Sequence, residues 1–283
     1  MRKYFKALLI FSIISILFSC EKEAKDIELP QVDPKLVVFG FLSPSDSLIE
    51  IAVSKSVPYF GVNSGSIYDP VTDAVVLLSS SNNTISIPYS IETSSYIFPN
   101  NASFPILEGE TYTLQVSSPG GFYVSGKTTV PAKSPQQVRV EVDSSFRTSN
   151  GFSETVYRIV TLWQDEPGIN NYYQNQIEIN QDSLKSKEYS FTVCSLFKND
   201  QGANGQELSI NCNYSNYYYE NNSMAGIQGN SILYTTDISY YKYHVSLNNY
   251  VEDNPFAEPS RIYSNIEGGL GCLGSYLVSK VEF

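Results

Sequence analysis

Thr111-Tyr112-Thr113-Leu114-Gln115-Val116-Ser117 alternates apolar and polar side chains, breaks at Pro119-Gly120-Gly121 and resumes as Phe122 to Val130. A period of two puts Tyr112, Leu114 and Val116 on one face, and the glycines let the chain reverse. The stretch therefore reads as two antiparallel strands buried on one side. Immediately upstream, Leu107-Glu108-Gly109-Glu110 leads into Tyr112 in the layout of a tyrosine corner. There a Tyr opening the penultimate strand of an immunoglobulin-like sandwich bonds its hydroxyl back to the preceding loop, a structural role.

Working outward, the same periodicity recurs. Leu36 to Phe41 reads as a buried strand, and Ser47 to Lys55 sets Ile49, Ile51 and Val53 against Glu50, Ala52 and Ser54. Asp73 to Ser79, Thr84 to Tyr89 and Ser94 to Phe98 complete seven strands in about a hundred residues, which predicts an immunoglobulin-like β-sandwich over residues 35–131. Pro131 to Pro135 is a linker. Val138, Val140 and Val142 then open a second antiparallel β domain, residues 132–283, with further strands at Val156 to Trp163, Tyr172 to Ile179, Glu188 to Phe197, Leu208 to Asn213 and Leu273 to Phe283. Thr236 to Asn249 admits two readings, a short helix capped by Asp237 or an aromatic, β-branched strand. Charged residues make up 17% of the chain, against 22 Tyr and 15 Phe. That balance favours a mainly β fold with at most one short helix.

The N-terminus has a different character. Arg2, Lys3 and Lys6 precede an apolar run from Ala7 to Phe18, and Leu17-Phe18-Ser19-Cys20 ends it like a lipobox. The run is shorter than the roughly 20 apolar residues of a membrane span. Residues 1–19 are therefore expected to be a lipoprotein signal peptide, with Cys20 as the lipidation site and residues 20–34 as a flexible tether. A plain signal peptide or uncleaved anchor is the alternative. Removing a signal with three positive groups and no acids takes the formal charge from −11 to −14. Such a surface repels nucleic acid and anionic headgroups, so no nucleic-acid partner is expected.

Outside the cytoplasm a disulfide between Cys194 and Cys212 is permitted, leaving Cys272 as a small buried thiol; three free thiols are the alternative. No Cys-x-x-Cys pair occurs and His244 is the single histidine, so no zinc or other metal site is expected. No Gly-x-Ser-x-Gly elbow surrounds a serine, and His244 reads as a packing or surface residue. Asp165 with Glu166, or Glu252 with Asp253, supply the remaining acid/base candidates, but both pairs sit in turns rich in proline, where acids are commonplace. No enzymatic activity and no cofactor are expected. Tyr217, Tyr218 and Tyr219, with Tyr214 beside them, offer stacking faces for a sugar or peptide, against cross-strand packing as the structural reading. Asp46-Ser47-Leu48 and Asp182-Ser183-Leu184 resemble the O-glycosylation triplet of Bacteroidota. Gly268, Gly269 and Gly271 precede a strand instead of opening a helix, so they mark a tight turn and not a phosphate loop. Pro255 and Pro259 exclude regular structure, and Phe256, Ile262 and Ile266 are expected to plug into the second domain.

Asp253 to Gly271 (DNPFAEPSRIYSNIEGGLG), Trp163-Gln164-Asp165 with Asn171-Tyr172-Tyr173, and the opening Lys35 to Leu42 together resemble a Bacteroidota lipoprotein family, domain of unknown function 4249. The resemblance runs from about Lys35 to the C-terminus and favours a helix over Ile238 to Asn249. Members are typically encoded beside TonB-dependent receptors, and the acidic start Glu21-Lys22-Glu23 is similar to surface-export signals of such lipoproteins. The resemblance implies an outer-membrane lipoprotein on the periplasmic face or cell surface, acting as a non-enzymatic accessory or binding component of a TonB-dependent uptake system. An adhesin or envelope-structural protein without a transport role is the alternative. The family brings no catalytic residues to carry over.

Overall fold

The computed structural model describes residues 33–57, 69–149, 152–182, 188–219, 227–250 and 261–283. The strands are β1 (Leu36–Leu42), β2 (Leu48–Lys55), β3 (Val75–Ser79), β4 (Thr84–Ile87), β5 (Tyr89–Ser90), β6 (Ser95–Pro99), β7 (Thr111–Ser117) and β8 (Tyr123–Thr129) in the first half. The second half adds β9 (Gln136–Ser149), β10 (Phe152–Gln164), β11 (Tyr172–Asp182), β12 (Glu188–Asn199), β13 (Glu207–Tyr219), β14 (Gln228–Thr236), helix α1 (Ile238–Asn248) and β15 (Leu270–Glu282). The fold is mainly β with one short helix among the described residues, as the strand formers and the resemblance together predict.

In the first half, β4-β3-β7-β8 faces a second layer containing β1, β2, β6 and β5. The strands alternate as read: Tyr112, Leu114 and Val116 are buried against Leu36, Val38, Ile49 and Ile51. Tyr112 forms the corner. Its hydroxyl donates to the Pro105 carbonyl at 2.9 Å and accepts the Leu107 amide at 2.9 Å.

The last strand returns to this core. β15 pairs in parallel with β1, Val37 opposite Leu270 through Leu42 opposite Ser275, and then runs antiparallel to β14. It thereby joins both halves in one eight-stranded sheet, β12-β11-β14-β15-β1-β2-β6-β5. Leu273, Leu277 and Ile266 belong to the same apolar cluster as Tyr112 and Val116. The segment before β15 is stapled to β8 by reciprocal main-chain hydrogen bonds between Ser125 and Glu267, 3.1 and 2.7 Å. Two glycines make this entry possible. Gly268 has φ +77°, and at Gly271, with φ +115°, a Cβ would collide with the Val38 carbonyl.

In the second half a three-stranded sheet, β13-β10-β9, packs over β11, β12 and β14. Two apolar clusters fill the interface, one around Ile159, Ile177 and Cys212, the other around Trp163, Tyr173 and Leu233. Between them lies a buried polar triad. Thr161 Oγ1 reaches Asn175 Oδ1 at 3.1 Å and Ser231 Oγ at 2.7 Å, and Asn175 Nδ2 donates to Ser231 Oγ at 2.8 Å. Each member has partners inside the triad, which offsets the cost of burying it.

Candidate functional site

β1 carries apolar side chains on both faces, and only one face enters the core. Leu36, Val38 and Leu42 are buried, whereas Phe39 and Phe41 stand half-buried on the opposite face of the sheet. On β2 the corresponding outward residues are Leu48, Glu50 and Ala52, with Ala52 directly opposite Phe39. Together with Ser45, Asp46, Ser47 and Tyr276 they line an open groove of about 570 Å³.

Helix α1 builds the wall beside it. Asp237 caps the helix, accepting the amides of Tyr240 (2.9 Å) and Ser239 (3.2 Å) and, from β15, that of Ser275 at 3.0 Å. These bonds favour the carboxylate, but burial outweighs them and holds its pKa above the ordinary carboxylate value. The cap thus fixes the helix to the sheet as well as starting it. α1 then crosses strands from both halves: Phe41 meets Tyr240 at 5.3 Å and His244 at 5.0 Å, Phe39 meets Tyr243 at 5.4 Å, and Tyr241 meets Tyr172 at 5.0 Å. Gly274 lets the helix come this close, since a Cβ there would lie 2.9 Å from Tyr240 Cβ.

The floor is held by hydrogen bonds. The Tyr276 hydroxyl donates to Asp46 Oδ2 at 2.7 Å, Ser95 Oγ donates to Glu50 Oε1 at 2.7 Å, and Asn100 Nδ2 donates to the Asp46 carbonyl at 2.7 Å. Burial and the neighbouring Asp46 carboxylate both push the Tyr276 phenol well up, so it stays a neutral donor. Aromatic rings, two hydrogen-bonded carboxylates and an exposed Leu48 equip the groove for stacking and for accepting hydrogen bonds.

His244 is part of this wall. Its ring stacks on Tyr240 with centroids 4.0 Å apart, and Nδ1 lies 2.9 Å from the Tyr240 carbonyl, which can only accept, so Nδ1 carries the proton. Burial pushes the imidazole pKa down. The nearby Cys272 thiol is fully buried, donates toward the Ser239 carbonyl at 3.5 Å and is pushed up by burial, so it is a packing residue and not a nucleophile.

The remaining candidates lie elsewhere. Cys194 and Cys212 form a disulfide between β12 and β13, with Cα atoms 6.1 Å apart, tying the three-stranded sheet to the eight-stranded one. Asp165 is buried as a loop clamp, accepting the Tyr173 hydroxyl at 2.6 Å and the Gly205 amide at 2.7 Å, while its neighbour Glu166 pairs with Lys133 at 2.8 Å. The two acids therefore face different partners. The backbone of Tyr217, Tyr218 and Tyr219 continues β13, opposite Glu154, Ser153 and Phe152; their side chains lie outside the described residues. Tyr214 sits in the core interface, 6.1 Å from Phe191. Ser47 and Leu48 of the first glycosylation-like triplet are exposed on the groove lip.

Cys20, Ser183, Leu184, Glu252, Asp253 and Phe256 lie outside the described residues. Ile266 is buried, in the first half's core, but Ile262 is 41% exposed and not the plug its spacing suggests. The chain there lies along α1, with the Tyr263 amide on Ser246 Oγ at 2.8 Å and Lys242 over the Tyr263 ring, which turns Ile262 outward. Among the described residues no three His, Cys, Asp or Glu side chains converge to hold a metal ion. The groove itself was hidden in sequence because Leu36 to Leu42 is apolar throughout. The one usable signal was the Phe39–Phe41 pair, set two apart against Leu and Val on the other face.

No curated protein matches the chain. Among solved structures, a Salmonella alpha-2-macroglobulin mutant is similar at 10% identity with a TM-score of 0.25, over 93% of this chain and 15% of that one. This chain thus spans 15% of the length of that protein. The profile of the family described as Domain of unknown function (DUF4249) matches residues 22–282, and the chain belongs to that family.

Proposed function

We propose that this chain is a lipoprotein, anchored in the outer membrane through acylated Cys20, and a non-enzymatic binding component of a TonB-dependent uptake system. The observation that carries the reading is the open groove of Phe39, Phe41, Asp46, Leu48, Glu50 and Tyr276 on a floor held by hydrogen bonds. A preformed surface of rings and acceptors recognises a ligand or partner without ordering itself first, which is what a capture component requires. The lipobox supports the anchoring. One acyl chain holds a protein marginally, whereas the several chains of a lipoprotein cysteine hold it stably. Family membership supports the partner class, since relatives are typically encoded beside TonB-dependent receptors.

Co-purification from detergent-solubilised outer membranes tests the reading. The wild-type chain is expected to recover a receptor of this class. Leu48→Arg, on the exposed lip, is expected to lose it with melting temperature and acylation unchanged. Recovery of no such receptor, under conditions that preserve known complexes, overturns the proposal. Cys20→Ala is expected to abolish incorporation of labelled fatty acid, and a fully labelled variant would sink the anchoring.

A further inference from the structure

β9 is the outer strand of the three-stranded sheet, and among the described residues no strand pairs with its outer edge. Every residue from Glu141 to Arg147 is exposed, including Val142 at 42% and Phe146 at 51%. Among the described residues no main-chain hydrogen bond reaches β9 from outside its ladder with β10. A long edge whose amides and carbonyls are bonded to no second strand is a template for one, and charged residues normally protect such an edge. At its middle the Ser144 amide donates to the adjacent Asp143 Oδ1 at 2.8 Å, a local bond that an incoming strand exchanges for its own. Here the charges on the edge, Glu141 (also 3.6 Å from Arg139 on its own strand) and Arg147, complement those of a second copy of the same edge. We infer that β9 pairs antiparallel with β9 of a second copy of this chain, about a two-fold axis at Ser144, giving a continuous six-stranded sheet.

The register follows from the side chains. With the axis perpendicular to the sheet at Ser144, Val142 of one copy lies opposite Phe146 of the other on one face. Glu141 lies opposite Arg147 on the reverse face, and symmetry repeats both pairs. Moving the axis to Asp143 sets that acid against its own copy and Arg139 against Arg147. Moving it to Ser145 pairs Asp143 with Arg147 but sets Phe146 against Ser144 and Val142 against Thr148. Ser144 is thus the centre at which apolar meets apolar and acid meets base. Opposite charges and apolar pairs directly across a ladder are favourable, and like charges there are unfavourable. A closed two-fold pairing also consumes both free edges, so the contact ends at the dimer instead of propagating.

The test uses the full chain in its membrane. Ser144→Cys places a thiol on the proposed axis, and Glu108→Cys, also exposed but far from β9 in sequence, reports random collision. On mild oxidation Ser144→Cys is expected to give a dimer on non-reducing gels at least tenfold above Glu108→Cys. Adding Glu141→Arg, or separately Arg147→Glu, sets like charges opposite twice per dimer and is expected to cut the yield about tenfold. Combining both swaps is expected to restore it to within about threefold, because the pairs are re-formed with reversed polarity. A Ser144→Cys yield no higher than that of Glu108→Cys, or failure of the double swap to restore it, overturns the inference. Rescue by the double swap also separates pairing from a folding defect, since two folding defects would not cancel.

Discussion

Tyr112 and His244 are single residues whose chemistry can be weighed directly. The Tyr112 hydroxyl serves the Pro105 carbonyl and the Leu107 amide from a fully buried ring. Tyr112→Phe keeps the ring and strips both bonds, leaving an amide and a carbonyl without their partner. Pro105 and Leu107 are exposed, so water can reach the freed groups, and urea unfolding is expected to show a loss of about 1–2 kcal/mol, the net worth of the two hydrogen bonds. His244 acts through protons. Its folded pKa lies below the ordinary 6.5, so the unfolded chain is the better proton acceptor. Stability is therefore full above about pH 6.5 and falls as the pH drops from there toward the folded value. His244→Phe retains a ring against Tyr240 and Phe41 and is expected to remove that slope. An unfolding midpoint that falls equally in both proteins between pH 6.5 and 5 would assign the loss to other groups.

At the scale of the element, α1 shows what an aromatic helix gains from its setting. Its sequence, ISYYKYHVSLN, has no charge pattern to complement the helix dipole, with no acid in the first turn and no base in the last. Packing and the Asp237 cap hold it instead. Asp237→Ala removes the acceptor for two helix amides and for the Ser275 amide. Capping alone accounts for about 1–2 kcal/mol, and the stranded Ser275 amide adds to that. A melting temperature shifted by less than a degree would show that the aromatic contacts suffice. The helix was legible in part: Asp237 gave the start signal, while the β-branched and aromatic run left a strand equally open. Strands with one solvated face, such as β2, β7 and β8, were legible because alternation reports burial on one side. β14 was not, since Ser231, Leu233, Thr235 and Thr236 are all buried in mid-sheet, mixing polar with apolar and erasing the period. The groove was illegible for a related reason. Its aromatic wall on β1 carries the same apolar letters as the core strand beneath, and only the pleat separates the two roles.

For the whole molecule, the informative feature is that the last strand completes the first core. Proximity in sequence suggested a sandwich closed by residue 131, and strand alternation has no means of showing that Leu273 and Leu277 fill it from the far end. Without β15, β1 presents a bare edge, Tyr112, Val116 and Val124 lose apolar neighbours, and Thr128 loses the Ser275 hydroxyl at 2.8 Å. A protein made of residues 1–131 is expected to remain unfolded or to aggregate through the β1 edge, since burial lost on this scale exceeds the margin of a small domain. The disulfide acts on a different joint. Cys194 and Cys212 enclose 18 positions and bridge the two sheets of the second half, so reduction is expected to remove about 3 kcal/mol in the chain-entropy treatment. Because β15 spans both halves, that loss should appear as a single unfolding transition at lower denaturant, detected alike by Trp163 fluorescence in the second half and far-ultraviolet circular dichroism over the whole chain. Two separated transitions after reduction, with only the later one lacking a fluorescence change, would mean that the first sandwich holds β15 by itself and that the joint between the halves is weaker than the shared sheet implies.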